Sequence, residues 1–204
     1  MTVERVLIIR HGQTIFNSEK RWQGQLDVPL DDIGIQQVQA LAKHLRGRKF
    51  DAIYSSPLQR AWLTAEAVGE IVGVQPVAEE RLSEINVGIF SGLTRDEIEQ
   101  QWPTEWERYR SGDMDFVIPK GESLRNLQDR AFEAWETLVS QAIGREIALV
   151  SHGGTIRHLL LKILEHNPPD MSSVFLPNTC MTTLERAGSY WQLCELAAVP
   201  HLSL

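Results

Sequence analysis

Apolar residues fall along this chain in two kinds of run. Val6-Leu7-Ile8-Ile9 and Ile147-Ala148-Leu149-Val150 are short and unbroken, as in strands buried on both faces. Ala52-Ile53-Tyr54 and Val74 to Val77 predict two further strands, and Met181 to Leu184 and Tyr190 to Leu196 two late ones. Other stretches repeat at helical spacing. Val38, Leu41, Ala42 and Leu45 share one face after the capping residues Asp31 and Asp32, with Gly47 closing the helix. Leu127, Ala131, Ala134, Trp135 and Leu138 form the stripe of a long helix over Ser123 to Ile143, and Gly154 to Leu164 predicts another.

Start signals sharpen the picture. Ser56-Pro57-Leu58-Gln59 reads as a capping serine, a proline at the first helical position and a reciprocal glutamine, which puts Arg60 in a first turn directly after a strand. Between residues 85 and 120 the strand–helix rhythm breaks. Thr94-Arg95-Asp96-Glu97 is a capping box, with Leu93 and Ile98 as its hydrophobic staple, and Thr104 to Glu107 offers a second box after Pro103. This segment, rich in aromatic side chains, predicts a small helical insertion over the active site. The whole predicts an α/β chain: a three-layer α/β/α sandwich around a mostly parallel sheet, read as one domain over residues 1–204 with the insertion at about 85–120.

Composition fits that reading. The 204 residues are 43% hydrophobic, enough for a sizeable core. A formal charge of -7 argues against nucleic acid or an anionic membrane surface as partner. Cys180 and Cys194 have neither metal-type nor redox-type spacing and read as free thiols of a reducing compartment. Met1 to Arg5 leads straight into the first strand, so a signal peptide is not expected, and no apolar run is long enough to span a bilayer; the expected location is cytoplasmic.

The chemistry lies at the strand ends. Arg10-His11-Gly12 follows the first strand and Ser151-His152-Gly153-Gly154 follows another, while Ser55-Ser56 with Arg60, and Glu84, follow two more. Ligands of such sheets bind beyond the carboxyl ends of the strands. A neutral histidine is a nucleophile, and Arg10 and Arg60 would repel its proton and grip phosphoryl oxygens. His152 adds a donor, Gly153 and Gly154 open a helix whose free N–H groups favour an anion, and Gly12 lets backbone approach it. Glu84 is the candidate acid and base. His11, Glu84 and His152 could also be read as a two-histidine, one-carboxylate metal set, against which the adjacent arginines argue. His44, His158, His166 and His201 have no comparable setting, and Trp22, Trp102, Trp106 and Tyr109 read as packing.

At this point the chain resembles the histidine phosphatase superfamily, the phosphoglycerate mutase-like group. The resemblance rests on Arg10 to Asn17, Gln23-Gly24 with Asp27-Val28-Pro29-Leu30, Ser55 to Ala61, Leu82-Ser83-Glu84, Gly121-Glu122-Ser123 and Ser151 to Gly154, in that order. It implies His11 as the phosphorylated nucleophile and Glu84 as acid/base. It also implies a phosphate pocket of Arg10, Arg60 and His152, joined by Gly12, Thr14, Asn17, Gln23, Gly24 and Gly153. It implies no metal and no cofactor, a small phosphorylated metabolite as partner, and a homodimer as the assembly. Mutases of this group follow the glutamate with His-Tyr-Gly and carry paired arginines in a longer insertion. Here Ile85-Asn86-Val87 follows Glu84, and Arg95, Arg108 and Arg110 are not adjacent. The expected activity is therefore hydrolysis of a phosphomonoester through phosphohistidine. A cofactor-dependent phosphoglycerate mutase is the alternative, and a non-catalytic phospholigand-binding module comes third.

Overall fold

The unbroken apolar runs become the centre of the sheet. The computed structural model describes residues 2–165, 170–171 and 174–202; His166 lies outside them. The strands are β1 (Arg5–Arg10), β2 (Ala52–Ser55), β3 (Pro76–Ala78), β4 (Glu146–Ser151), β5 (Met181–Ala187) and β6 (Tyr190–Ala198). They form one sheet in the order β3-β2-β4-β1-β5-β6. The first four strands run parallel, while β5 pairs antiparallel with β1 and β6 with β5.

Alternation along each central strand splits the core. Val6 and Ile8 of β1, with Ile147 and Leu149 of β4, pack on one face against α6 (Leu124–Gln141) and α7 (Gly153–Ile163). Leu7, Ile9, Ala148 and Val150 pack on the other face against α2 (Asp32–His44) and α3 (Gln59–Val72). Helices on both faces of a mostly parallel sheet are the predicted sandwich. The helix α1 (Ile15–Ser18) is a single turn after β1. In the insertion, α4 (Arg95–Gln101) and α5 (Pro103–Arg110) gather around a third cluster that includes Phe90, Ile98, Trp106, Phe116 and Ile118.

Several helix starts differ from the sequence reading. Ser56 does not cap α3, which begins at Gln59; the Gln59 N–H instead donates to Asp27 Oδ1 at 2.7 Å, so a distant loop carboxylate supplies the cap. Thr104 is likewise no cap, because Pro103 itself opens α5 behind Trp102 with no side-chain cap bond. The third strand begins at Pro76, not Val74. The Thr94 box forms as expected, and Ser123 caps α6.

Gly12 has a packing role as well. A Cβ there would lie 2.7 Å from Val38 Cγ2 and 2.9 Å from the Gly34 carbonyl oxygen, so the glycine serves close packing of α2 on the loop after β1. Gly12→Ala should lower stability by about 1–3 kcal/mol through this overlap, read as a drop in the chemical-denaturation midpoint.

Candidate active site

Register sets the site. In the parallel pair β1–β4, Arg10 lies opposite Ser151, so the next residues, His11 and His152, leave the sheet side by side. Their ring centroids are 5.1 Å apart. Ser55, at the end of β2, pairs with Val150, which brings Ser56 to the same edge.

His11 is 2% exposed. Its Nδ1 lies 2.6 Å from the Gly12 carbonyl oxygen, which can only accept, so the proton sits on Nδ1 and the Nε2 lone pair is left for chemistry. Burial holds this imidazole well below the ordinary value of 6.5, and the Arg60 and Arg10 charges push the same way. The electrostatic reading from sequence thus holds in direction, with burial as the larger cause.

His152 is fully buried and its pKa is also well below the ordinary value, first from burial and then from Arg60, His11 and Arg10. Ser56 Oγ accepts from the Leu58 N–H at 3.3 Å and lies 2.8 Å from His152 Nε2. His152 Nδ1 is buried and has no partner among the described residues.

Two guanidiniums complete the pocket. Arg60, 1% exposed, donates from Nη1 to the Leu26 carbonyl and from Nη2 to the Gly24 carbonyl, both at 2.8 Å, while its Nε is buried without a partner among the described residues. Burial brings its pKa down to about 10. Arg10 donates from Nη1 to the Leu176 carbonyl, and its Nε is likewise buried and without a partner among the described residues. Gly24 thus meets the site through its carbonyl on Arg60. Gly153 lies against Arg10: a Cβ there would stand 3.4 Å from Arg10 Nε.

Thr14, Asn17 and Gln23 form a linked set. Thr14 caps α1, its N–H donating to Asn17 Oδ1 at 3.1 Å, and its hydroxyl lies 2.9 Å from Gln23 Oε1. Each amide oxygen is thereby occupied within the protein.

Glu84 sits where the sequence reading places phosphate. Its Oε2 accepts from the Gly154 N–H at 3.1 Å, and its Oε1 from the Thr155 and Ile85 N–H groups at 3.0 Å each. The group that the first amides of α7 meet is therefore this carboxyl, next to His152. Arg130 braces the loop, donating to the carbonyls of Arg81, Ser83 and Glu84 and pairing with Glu122 at 2.7 Å. Glu122 also accepts from the Asn86 N–H, so Gly121-Glu122-Ser123 does more than start a helix. Trp22, Phe90, Trp106 and Tyr109 cluster beside this loop, edge to face except for the stacked Trp106 and Tyr109, and burial together with the Glu84 charge raises Tyr109 to about 12.

Sequence reasoning assigned no role to Arg130, Thr155 or Asn178. Asn178 Nδ2 donates to the His11 carbonyl at 3.0 Å and to Asn17 Oδ1 at 3.1 Å. Among the described residues no three His, Cys, Asp or Glu side chains are grouped to hold a metal ion, and no helix is long and apolar enough to cross a membrane.

Stability should follow the two histidines. Both are neutral when folded and gain protons below about 6.5 when unfolded, so the unfolded state binds more protons there. The melting temperature should fall as pH drops below 6.5, and His11→Ala should flatten that slope; an unchanged slope in the variant would contradict the assignment.

A buried neutral histidine near the buried Arg60 and the half-buried Arg10, beside a second histidine and a glutamate, is an arrangement that can hold an anion at a sheet edge. The chain belongs to the histidine phosphatase superfamily (branch 1), whose family model matches residues 6–198. Among its relatives, phosphoglycerate mutase-like protein 4 of Arabidopsis thaliana is 38% identical over 76% of this chain and 68% of that protein. The uncharacterized phosphatase PhoE of Bacillus subtilis is 28% identical over 97% of this chain and 96% of that protein. The fold is similar to that of a phosphoserine phosphatase of Entamoeba histolytica solved as a mutant with phosphoserine, with a TM-score of 0.85, 30% identity, and coverage of 98% of this chain and 99% of that one.

Proposed function

We propose that this protein hydrolyses a small phosphomonoester without a metal, through a phosphohistidine at His11. The observation that carries this reading is the set of buried nitrogens without a partner among the described residues, Arg10 Nε, Arg60 Nε and His152 Nδ1, grouped with a neutral nucleophile. Buried donors are costly unless something accepts from them, and phosphoryl oxygens would accept from both guanidinium N–H groups, and from His152 when Nδ1 carries its proton.

In the first step His11 Nε2 forms a bond to phosphorus and the bond to the ester oxygen breaks. Glu84 gives its proton to that oxygen, which leaves as an alcohol. In the second step water forms a bond to phosphorus as Glu84 takes its proton, and the N–P bond breaks to return His11 and orthophosphate. The arginines and His152 hold the charge that moves onto the equatorial oxygens.

Hydrolysis is favoured over mutase transfer by the insertion. Arg95, Arg108 and Arg110 are more than half exposed and face Glu99 and Asp113, so they build no buried carboxylate site. The test is to incubate the protein with a phosphomonoester labelled at phosphorus, with chelator present, and quench. An acid-labile, base-stable label on the protein together with orthophosphate release is expected; release that stops with chelator and returns with a divalent ion would overturn the reading.

A further inference from the structure

The segment entering β5 carries an asparagine with two oxygen neighbours from the catalytic edge. We propose that Asn178 is a positioning residue that, together with Thr14, holds the Asn17 amide facing one way, and so presents Asn17 Nδ2 as a donor to the phosphoryl group. This rests on the reading of Asn17 as a phosphate ligand.

The orientation follows from which atoms can accept. The His11 carbonyl oxygen cannot donate, so the group of Asn178 that meets it at 3.0 Å must be its NH2. That same NH2 lies 3.1 Å from one end of the Asn17 amide, which must therefore be the oxygen. The Thr14 N–H, a donor only, meets that oxygen independently at 3.1 Å. With Oδ1 held from two sides, Asn17 Nδ2 is the end left over, and it makes no hydrogen bond among the described residues. A flipped amide would set donor against donor at both contacts and offer phosphate an acceptor.

Neighbouring bonds make the segment a fixed platform. The Thr179 N–H donates to the same His11 carbonyl at 3.2 Å, and the Arg10 N–H to the Cys180 carbonyl at 3.0 Å. Arg10 Nη1 reaches the Leu176 carbonyl. One stretch of chain thus holds Arg10, His11 and Asn17, and Asn178 is its side-chain contribution.

The experiment is a double-mutant cycle on inhibition by orthophosphate and on turnover of p-nitrophenyl phosphate. Asn178→Ala should weaken orthophosphate about tenfold and raise KM similarly, with a smaller effect on kcat, as for loss of one hydrogen bond to a charged group. In an Asn17→Ala background, Asn178→Ala should change the orthophosphate constant less than about twofold, because the donor it aims is gone. Asn178→Leu fills similar volume without a donor and should be as poor as Asn178→Ala, with melting temperatures measured alongside. Recovery in Asn178→Leu, or losses that multiply in the double variant, would overturn the positioning role. If Asn17→Ala itself leaves orthophosphate binding unchanged, the phosphate reading of Asn17 has failed instead.

Discussion

His11→Ala should reduce turnover on the order of 10⁴-fold or more and remove the acid-labile phosphoenzyme. The size follows from the route. Without Nε2 there is no covalent step, and the Nε2 of the neighbouring His152 is already engaged by Ser56. Orthophosphate affinity should change far less, because Arg10, Arg60 and His152 remain. Kinetics on a good and a poor leaving group, with equilibrium phosphate binding, separate the two quantities. Turnover retained within tenfold would sink His11 as nucleophile.

Glu84→Gln should cost about 10²–10⁴-fold with an alkyl phosphate, the usual worth of a positioned acid and base. With p-nitrophenyl phosphate the first step should suffer little, since that leaving group needs no proton. The second step still needs a base, so a burst of nitrophenol followed by a stalled phosphoenzyme is expected. Equal losses with both substrates and no burst would remove Glu84 from the proton path. The glutamine amide would also set its NH2 against the Gly154 N–H, so a modest fall in melting temperature should accompany the kinetic change.

The sheet and the catalytic edge were legible because they rest on strong local patterns. Apolar runs at residues 6–9 and 147–150 marked the central strands, and parallel register then put His11 beside His152. What escaped was set by contacts distant in sequence. Ser56 has the composition of a cap, yet its hydroxyl is drawn to His152, and Asp27 caps α3 from another loop. Glu84 was recognisable as a carboxylate at a strand end, but its place on the α7 amides depends on Gly154 lacking a Cβ, which would sit 2.6 Å from Glu84 Oε1. Asn178 was missed for a topological reason. The rule that sites lie at strand exits serves parallel strands, and β5 is antiparallel, so its entrance lies at that edge.

The loop whose carbonyls hold Arg60 and the insertion are tied into one mechanical body. The Trp22 N–H donates to the Leu93 carbonyl at 2.8 Å, and the Gly92 N–H donates back to Trp22 at 2.7 Å. Arg21 clamps Glu97 at 2.8 Å, and Trp22 is wedged among Phe90, Trp106 and Tyr109. Two residues past Trp22, the Gly24 carbonyl holds Arg60. On the proposed mechanism, a leaving group that shoved the insertion outward would therefore tug on Arg60, the arginine proposed to bind the phosphoryl group. Selection among substrates would then be felt at phosphorus itself: a misfitting alcohol would loosen the grip on the reacting group as well as filling its own pocket badly.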